Sequence, residues 1–287
     1  MPNTEFTRPF PALTPAQRYH LDVYGYVVIE NTLTTDENGR LHEAMLRLKR
    51  DLLATNDPAK DYVRNCRLSA HKPHHLHFAH ILEADPAIFD YLTHPRLVGM
   101  AEELVGGSVR LEESEAVVNQ RDPEADLAAP PRYGFHTGTA PDVGTYVENG
   151  LYHCTFVKTL TNLTELGPDD GGTVVVAGSH KVKGDREAII AAAFDDPALI
   201  HQVIAPAGST LLFGEALIHA TGQICSDRER VIVIGGYTPP MFQAWNGQEP
   251  SAEFVAQTPE HLVPLISGSD KWGWQQRRRS LDMPVAP

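Results

Sequence analysis

The spacing of apolar residues divides the chain into two parts with different periodicity. In the first part, residues such as Leu41, Met45 and Leu48 recur every three or four positions, as on the buried face of a helix. A capping threonine at Thr14 and a glycine at Gly25 bracket the first such segment. The pattern predicts a short strand at 26–29, an irregular stretch at 55–80, and helices at 15–24, 34–53, 86–92 and 95–105.

From Val109 onward the pattern is typical of short strands. Apolar runs rich in β-branched residues alternate with Gly, Pro, Asp and Asn, at 109–118, 151–160, 172–177, 201–204, 209–213 and 230–237. This spacing predicts an antiparallel sandwich or barrel with one inserted helix at 187–194. We expect one domain over 1–287, made of a helical N-terminal part at 1–108, a β core at 109–240 and a C-terminal segment at 241–287 that wraps the core.

Composition and charge narrow the functional classes. The 287 residues carry a formal net charge of −13, whereas proteins that coat nucleic acids need a positive surface, so a nucleic-acid polymer is not expected as a partner. Cys66, Cys154 and Cys225 are far apart and odd in number, which argues against a disulfide framework. Neither a signal peptide nor an apolar run of roughly 18 residues is present. We expect a cytoplasmic protein without a membrane segment, and its oligomeric state stays open.

Two histidines in the predicted β core are candidates for chemistry. His136 lies in a Phe-His-Thr-Gly run, and His219 ends a strand that an apolar turn precedes. A single histidine is more often a hydrogen-bonded core residue than a ligand, so the surrounding pattern carries the inference. Between the two lies the segment 167–181, which begins Gly-Pro-Asp-Asp-Gly-Gly and ends Gly-Ser-His-Lys, and Arg230 follows His219 by eleven residues.

With these motifs the chain resembles the phytanoyl-CoA dioxygenase-like branch of the iron(II)/2-oxoglutarate oxygenases. The resemblance extends from 22–28 to about Tyr237 and is most specific in the segment 168–181. It implies a mainly β fold with flanking helices, in which the core is a double-stranded β-helix, the cupin-like jelly roll. It also implies Fe(II), 2-oxoglutarate and O2 as the reactants that the protein binds.

The resemblance assigns roles to individual residues. It implies that His136 and His219 hold the iron, and that Thr221 and Arg230 bind the distal carboxylate of 2-oxoglutarate. A planar guanidinium can grip a carboxylate with two parallel hydrogen bonds, which a lysine cannot. Arg228 is the weaker candidate for that arginine, because it precedes the strand.

One position departs from the family pattern. The family's His-x-Asp or His-x-Glu reads His-Thr-Gly here, so Gly138 stands where the third iron ligand is expected. The resemblance to His-x-Gly halogenases implies that Gly138 vacates this position for chloride and that the protein chlorinates an unactivated carbon. Two alternatives stay open: a hydroxylase in which Asp142 or Glu148 supplies the carboxylate, and a jelly-roll protein that binds without catalysis.

The substrate is the least determined part of the interpretation. The His-Thr-Gly context is similar to that of nucleotide halogenases of nucleoside-antibiotic biosynthesis, which implies a small-molecule substrate such as deoxyadenosine monophosphate. A basic segment in this acidic chain is compatible with a phosphate, and Arg64, Arg67 and Lys72 are its candidate contacts. His153, on a predicted strand, is a further candidate for lining the pocket, although a structural role competes with that interpretation.

Overall fold

A computed structural model describes residues 12–55, 62–148 and 150–270. The helices are α1 Pro15–Tyr24, α2 Thr35–Thr55, α3 Pro86–Leu92, α4 Pro95–Val105, α5 Pro141–Gly144, α6 Arg186–Asp195, α7 Ala252–Gln257 and α8 Val263–Ser267. The strands are β1 Tyr26–Ile29, β2 Tyr62–Val63, β3 Cys66–Lys72, β4 His75–Ala79, β5 Arg110–Asn119, β6 Thr145–Glu148, β7 Leu151–Cys154, β8 Val157–Asn162, β9 Val174–Val176, β10 Ile200–Gln202, β11 Ser209–Gly214, β12 His219–Ala220 and β13 Arg230–Thr238.

The predicted helices of the N-terminal part are confirmed, and their ends follow from local chemistry. At α1 the Thr14 hydroxyl accepts from the Gln17 amide while the Gln17 side chain accepts from the Thr14 amide, which is a complete capping box. Gly25 ends this helix in the left-handed region, with a φ of 84°. The inserted helix is confirmed as α6.

The fold is mainly antiparallel sheet with flanking helices, as expected. The main sheet has eight strands in the order β1-β11-β8-β13-β5-β4-β3-β2, and a smaller sheet has the order β10-β9-β12. Val175 of β9 packs with Leu211 and Phe213 of β11 in one apolar cluster, so the two sheets face each other in a jelly roll. On the opposite side of the main sheet, α1 to α4 bury side chains such as Leu41 and Leu97.

The prediction of an irregular stretch at 55–80 is wrong for the part that the structure describes. Residues 62–79 form β2, β3 and β4, which extend the main sheet beyond β5. In β4 the apolar Leu76 and Phe78 are buried and alternate with the half-buried His75 and His77, which is the pattern of a half-buried strand. With β1 included, the part at 1–108 contributes four of the eight strands to the main sheet and is not purely helical.

The C-terminal segment lies against the main sheet. Leu265 and Ile266 of α8 are buried in the large apolar cluster, and the Trp245 amide donates to the Glu112 carbonyl of β5. Within the described ranges, no helix combines the length and the apolar character that crossing a membrane requires.

Candidate active site

His136 and His219 are joined through their backbones. The His136 amide donates to the His219 carbonyl at 2.9 Å, and the His219 amide donates to the His136 carbonyl at 3.0 Å. The two ring centroids lie 4.3 Å apart. His219 belongs to β12 and pairs with Val175 of β9, so the smaller sheet holds the backbone of this histidine pair.

Both imidazole rings are oriented by the same local contact. His136 Nδ1 lies 3.1 Å from the Gly134 carbonyl oxygen, and His219 Nδ1 lies 2.9 Å from the Leu217 carbonyl oxygen. A carbonyl can only accept, so Nδ1 carries the proton in both rings and Nε2 is left with a free lone pair. Histidines that bind metals are commonly oriented by such a backbone carbonyl. Burial lowers the pKa of His219, which favours the neutral form that a metal needs.

Gly138 follows on the same segment, two residues after His136. Its amide donates to the Glu215 carbonyl at 3.0 Å, and the Thr139 amide reaches the same oxygen at 3.3 Å. A Cβ at position 138 would overlap Glu215 Oε2 and lie 2.7 Å from Glu215 Cδ. The carboxylate of Glu215 therefore fills the space that the family's ligand side chain would enter.

A buried lysine stands behind this carboxylate. Lys158 Nζ lies 2.8 Å from Glu112 Oε1, 2.7 Å from Glu113 Oε2 and 3.8 Å from Glu215 Oε1. Burial by itself would lower the pKa of Lys158, but Glu113, Glu112 and Glu215 raise it well above its ordinary value. Burial also raises the pKa of Glu113 to about 7. Lys158 therefore keeps its charge inside the sheet and is not available to an external anion.

Arg230 is a buried cation without a carboxylate partner among the described residues. It is 3% exposed, its Nη1 donates to Asn119 Oδ1 at 3.3 Å, and its Nε has no hydrogen-bond partner in that part of the chain. Burial lowers its pKa to about 10. A buried guanidinium with an open donor is costly unless it binds an anion, so Arg230 can hold one carboxylate of a dicarboxylic ligand.

Arg228, the competing arginine, is already ion-paired with Asp170. Its Nε lies 3.1 Å from Asp170 Oδ1 and its Nη2 lies 2.5 Å from Asp170 Oδ2. Asp170 in turn accepts from the Ser226 hydroxyl at 2.6 Å and from the Gly167 amide at 2.7 Å. The Gly-Pro-Asp-Asp motif thus fixes the loop before β13, and its acid neutralises Arg228 rather than Arg230.

Comparison with known proteins is decisive for the family. The model of the phytanoyl-CoA dioxygenase (PhyH) family matches residues 21–232. The chain belongs to the PhyH family. This is an iron(II)/2-oxoglutarate-dependent oxygenase family, so the predicted family and enzyme class are confirmed at that level. No curated protein matches the chain in sequence.

Solved structures share the PhyH fold with this chain. HygX from Streptomyces hygroscopicus, with nickel and 2-oxoglutarate bound, is 23% identical with a TM-score of 0.64, over 81% of this chain and 90% of HygX. AviO1 from Streptomyces viridochromogenes Tue57 is 20% identical with a TM-score of 0.62, over 79% of this chain and 95% of AviO1. The carbocyclase SnoK from nogalamycin biosynthesis is 17% identical with a TM-score of 0.57, over 86% of this chain and 92% of SnoK.

The side chains of this PhyH chain fit iron and 2-oxoglutarate in part. The two Nε2 lone pairs suit Fe(II), and the open donor of Arg230 suits a carboxylate. In the described ranges, however, no three His, Cys, Asp or Glu side chains stand together in an arrangement ready for a metal ion. The two rings therefore form a two-residue site, with the Glu215 carboxylate beside Gly138.

The two acids that the hydroxylase alternative named as third ligands, Asp142 and Glu148, are not the acid nearest to Gly138. Asp142 is exposed and ion-paired with Lys183, and Glu148 lies on β6. The acid beside Gly138 is Glu215, which sequence reasoning missed. The available signal was its place four residues before His219, in the turn that follows β11. Glu215, and neither Asp142 nor Glu148, is thus the carboxylate nearest to Gly138.

Among the three basic residues predicted to contact a phosphate, Arg64 is already ion-paired with two acids. It lies 3.1 Å from Asp51 and 3.7 Å from Asp85, so its charge is neutralised. Arg67 lies on β3, half-buried, and its Nε has no partner within the described residues. Lys72 ends β3 and is exposed.

His153 is in a structural contact. It is 5% exposed, its Nδ1 lies 3.1 Å from the Leu104 carbonyl oxygen, and its ring stacks on Tyr146 at 5.1 Å. Because β7 packs against α4, this side of the strand faces the core, and that packing corrects the expectation that His153 lines the pocket. Thr221 is exposed directly after β12, and its role towards 2-oxoglutarate stays a prediction.

Sequence reasoning also missed a histidine beside Arg230. Arg230 of β13 pairs with Asn119 of β5, and Asn119 pairs with His75 of β4, so the three residues lie side by side across the sheet. Burial and, to a smaller extent, electrostatic interactions with neighbouring groups including His77 and Arg230 lower the pKa of His75. The signal was the alternation of His75 and His77 with Leu76 and Phe78, which indicates a strand.

Proposed function

We propose that this protein is an iron(II)/2-oxoglutarate-dependent halogenase that chlorinates an unactivated carbon of a small molecule, with a nucleotide such as deoxyadenosine monophosphate as the expected substrate. The observation that carries the proposal is Gly138. Its amide is bound to the Glu215 carbonyl, so the position that supplies a carboxylate in the family motif is fixed in the site and supplies none.

The residues divide the work as follows. His136 and His219 would hold iron through Nε2, because backbone carbonyls occupy both Nδ1 atoms. Arg230 would bind the distal carboxylate of 2-oxoglutarate, with Asn119 orienting its guanidinium. Chloride would bind at the metal beside Gly138, since a carboxylate and a chloride compete for one position on a small ion. Bound iron with 2-oxoglutarate and O2 supplies the oxidising power that breaks the carbon–hydrogen bond.

The overall reaction balances without a further reductant. A substrate carbon–hydrogen bond, chloride, one proton, 2-oxoglutarate and O2 are converted to a carbon–chlorine bond, succinate, carbon dioxide and water. Both oxygen atoms of O2 are accounted for, one in succinate and one in water. The substrate and the decarboxylated 2-oxoglutarate supply the electrons that reduce O2.

Aromatic side chains beside the site support a planar substrate. Phe156 accepts at its carbonyl from the Glu215 amide, at 3.0 Å. Its ring lies 6.2 Å from Trp245 with 30° between the planes, and 5.6 Å from Phe242. Trp245 is 41% exposed and Phe242 is 38% exposed, so both leave ring surface open. Nucleobases stack on such faces.

A hydroxylase is the second candidate, because the Glu215 side chain occupies the space at Gly138. If this carboxylate stays on the metal, the site has the usual two histidines and one carboxylate. The donor of the carboxylate would then be Glu215 in place of the expected Asp142 or Glu148.

Optical titration of the metal site distinguishes these functions. Fe(II) and 2-oxoglutarate are added under anaerobic conditions, first in chloride-free sulfate buffer and then with increasing chloride. A halogenase shows a visible metal-to-ligand charge-transfer band that shifts with chloride. A hydroxylase shows the band without the shift, and a protein that only binds other ligands shows no band. The apoprotein with the same additions is the control.

A further inference from the structure

The space beside Gly138 is occupied by a side chain from another part of the chain. A Cβ at this position would overlap Glu215 Oε2 and lie 2.7 Å from Cδ and 3.2 Å from Cγ. The φ angle of Gly138 is outside the left-handed region, so the backbone conformation does not itself require glycine. A side chain at this position would need the Glu215 carboxylate to move away, whereas glycine leaves it in place.

The backbone around Glu215 is fixed on both sides. Its carbonyl accepts from the amides of Gly138 and Thr139, at 3.0 and 3.3 Å, and its amide donates to Phe156. The residue is 6% exposed, so its carboxylate is enclosed beside Gly138. Any movement of this carboxylate must come from rotation of its own side chain.

Lys158 offers a second position for the Glu215 carboxylate. Glu215 Oε1 lies 3.8 Å from Lys158 Nζ, whereas Glu112 and Glu113 contact the same ammonium at 2.8 and 2.7 Å. Of the three carboxylates, Glu215 is therefore the one that Lys158 holds most loosely. Rotation towards Lys158 would shorten this ion pair and move the carboxylate away from Gly138.

We infer that Glu215 is the occupant of the third metal position, that it replaces the carboxylate missing at Gly138, and that a halide enters only by displacing it towards Lys158. The inference rests on the proposed function, in which His136 and His219 hold the metal. Glu215 precedes His219 by four residues in the chain. Because the backbone at both residues is fixed by hydrogen bonds, the movable Glu215 side chain stays close in the chain to the fixed ligand His219.

Metal and halide titrations test the inference without turnover. Ni(II) affinity is measured by calorimetry in chloride-free sulfate buffer, and bromide affinity by the optical shift of the Fe(II)/2-oxoglutarate complex. We expect E215Q to weaken Ni(II) binding about 10- to 100-fold, a loss of the size seen when a metal site loses a supporting contact. Bromide should bind at least about 10-fold more tightly to E215Q, because the competing anion is gone.

E113Q is the matched control. It also removes one carboxylate from Lys158, but Glu113 does not contact Gly138 in the described structure. We expect E113Q to keep both affinities within about threefold of the wild type. Equal effects of E215Q and E113Q on both affinities would overturn the inference and leave the proposed halogenase untouched.

The reverse outcome separates the two claims. If E215Q weakens metal binding but the wild type shows no halide response, Glu215 is a permanent ligand; this overturns halide displacement, and with it the proposed halogenase. A second variant pair keeps the test valid should E215Q fold poorly. We expect E215A to weaken Ni(II) binding in the wild type but not in G138D, because the introduced aspartate then supplies the carboxylate and Glu215 is displaced towards Lys158. An equal loss from E215A in both backgrounds, with the proteins folded, would contradict the inference.

Discussion

The amides of His136 and His219 each donate to the other residue's carbonyl, at 2.9 and 3.0 Å, so the histidine pair is held by main chain and not by its rings. Replacement of either ring by alanine should therefore leave the bridge between the two segments intact. The histidine side chains can therefore be replaced to test metal binding without breaking the backbone contacts that hold the site together.

We expect H136A and H219A each to abolish measurable Fe(II) or Ni(II) binding, because each variant removes one of the two histidines that hold the metal in the proposed function. The exposed His261 is the control position, and H261A should bind metal like the wild type. Calorimetry measures the affinities, and circular dichroism checks that the fold is kept. Metal binding retained in H136A or H219A would assign the site to other residues.

The two arginines near the start of β13 should differ in their effect on 2-oxoglutarate. Arg230 has an open donor in a buried position, whereas Arg228 is paired with Asp170. We expect R230Q to weaken 2-oxoglutarate binding by at least about 100-fold, since a charged hydrogen-bonded pair contributes about 1.5–3 kcal/mol per bond. R230K should lose nearly as much, because an ammonium cannot make two parallel bonds.

R228Q is the control for this comparison, and it should keep 2-oxoglutarate affinity within about threefold of the wild type. Binding is measured by equilibrium titration of the metal-loaded protein with 2-oxoglutarate. A larger loss in R228Q than in R230Q would reverse the assignment.

Much of this arrangement follows from local sequence, and the remainder depends on contacts between distant segments. The capping residues of α1 and the turn residues between strands act on their immediate neighbours, so these elements could be predicted. The spacing from His219 to Arg230 lies within one loop and one strand, and the structure places Arg230 at the first residue of β13, with its side chain buried. Because His75 and His77 are polar, their segment is predicted to be irregular, although their alternation with Leu76 and Phe78 indicates a strand.

Glu215 could not be predicted as a neighbour of Gly138 from spacing alone. The two residues meet because β12 pairs with β9 and because the His136 segment bridges to His219, and each of these contacts joins distant parts of the chain. Lys158 is a similar case. Alternation places it on one face of β8, but only the pairing of β8 with β13, and of β13 with β5, brings it to Glu112 and Glu113.

Removal of the buried ammonium should destabilise the protein strongly. Lys158 is 3% exposed and contacts Glu112 and Glu113, so K158M leaves buried carboxylates without a counterion. We expect a loss of about 3–5 kcal/mol in the free energy of unfolding. Urea denaturation followed by circular dichroism measures this change.

The surface pair between Lys183 and Asp142 provides the comparison, because both side chains are more than 60% exposed. K183M should change the free energy of unfolding by less than about 1 kcal/mol. Equal effects of K158M and K183M would show that Lys158 is not a structural counterion.

The loop that Asp170 fixes should respond to acid in a defined direction. Burial would raise the pKa of Asp170, but hydrogen bonds from Ser226 and Gly167 and the charge of Arg228 outweigh burial and lower it below its ordinary value of 3.8. A lowered pKa in the folded state means that ionised Asp170 stabilises the fold above pH 3.8 and that this contribution is lost as the pH falls through the folded value.

We therefore expect D170N to be less stable than the wild type by about 1–2 kcal/mol at neutral pH, the magnitude of hydrogen bonds to a charged group. The difference should shrink only below pH 3.8. Thermal unfolding of both proteins over a pH series measures it. A difference that already disappears in mildly acidic buffer contradicts the lowered pKa.

The most direct test of the account is a mass spectrum of the product formed with two different halides. Iron-loaded protein is given 2-oxoglutarate, O2 and candidate nucleotides, deoxyadenosine monophosphate first, in chloride or in bromide as the only halide. We predict a product with the isotope pattern of one chlorine in chloride and of one bromine in bromide. A product that instead gains one oxygen atom, whichever halide is present, would contradict the halogenase.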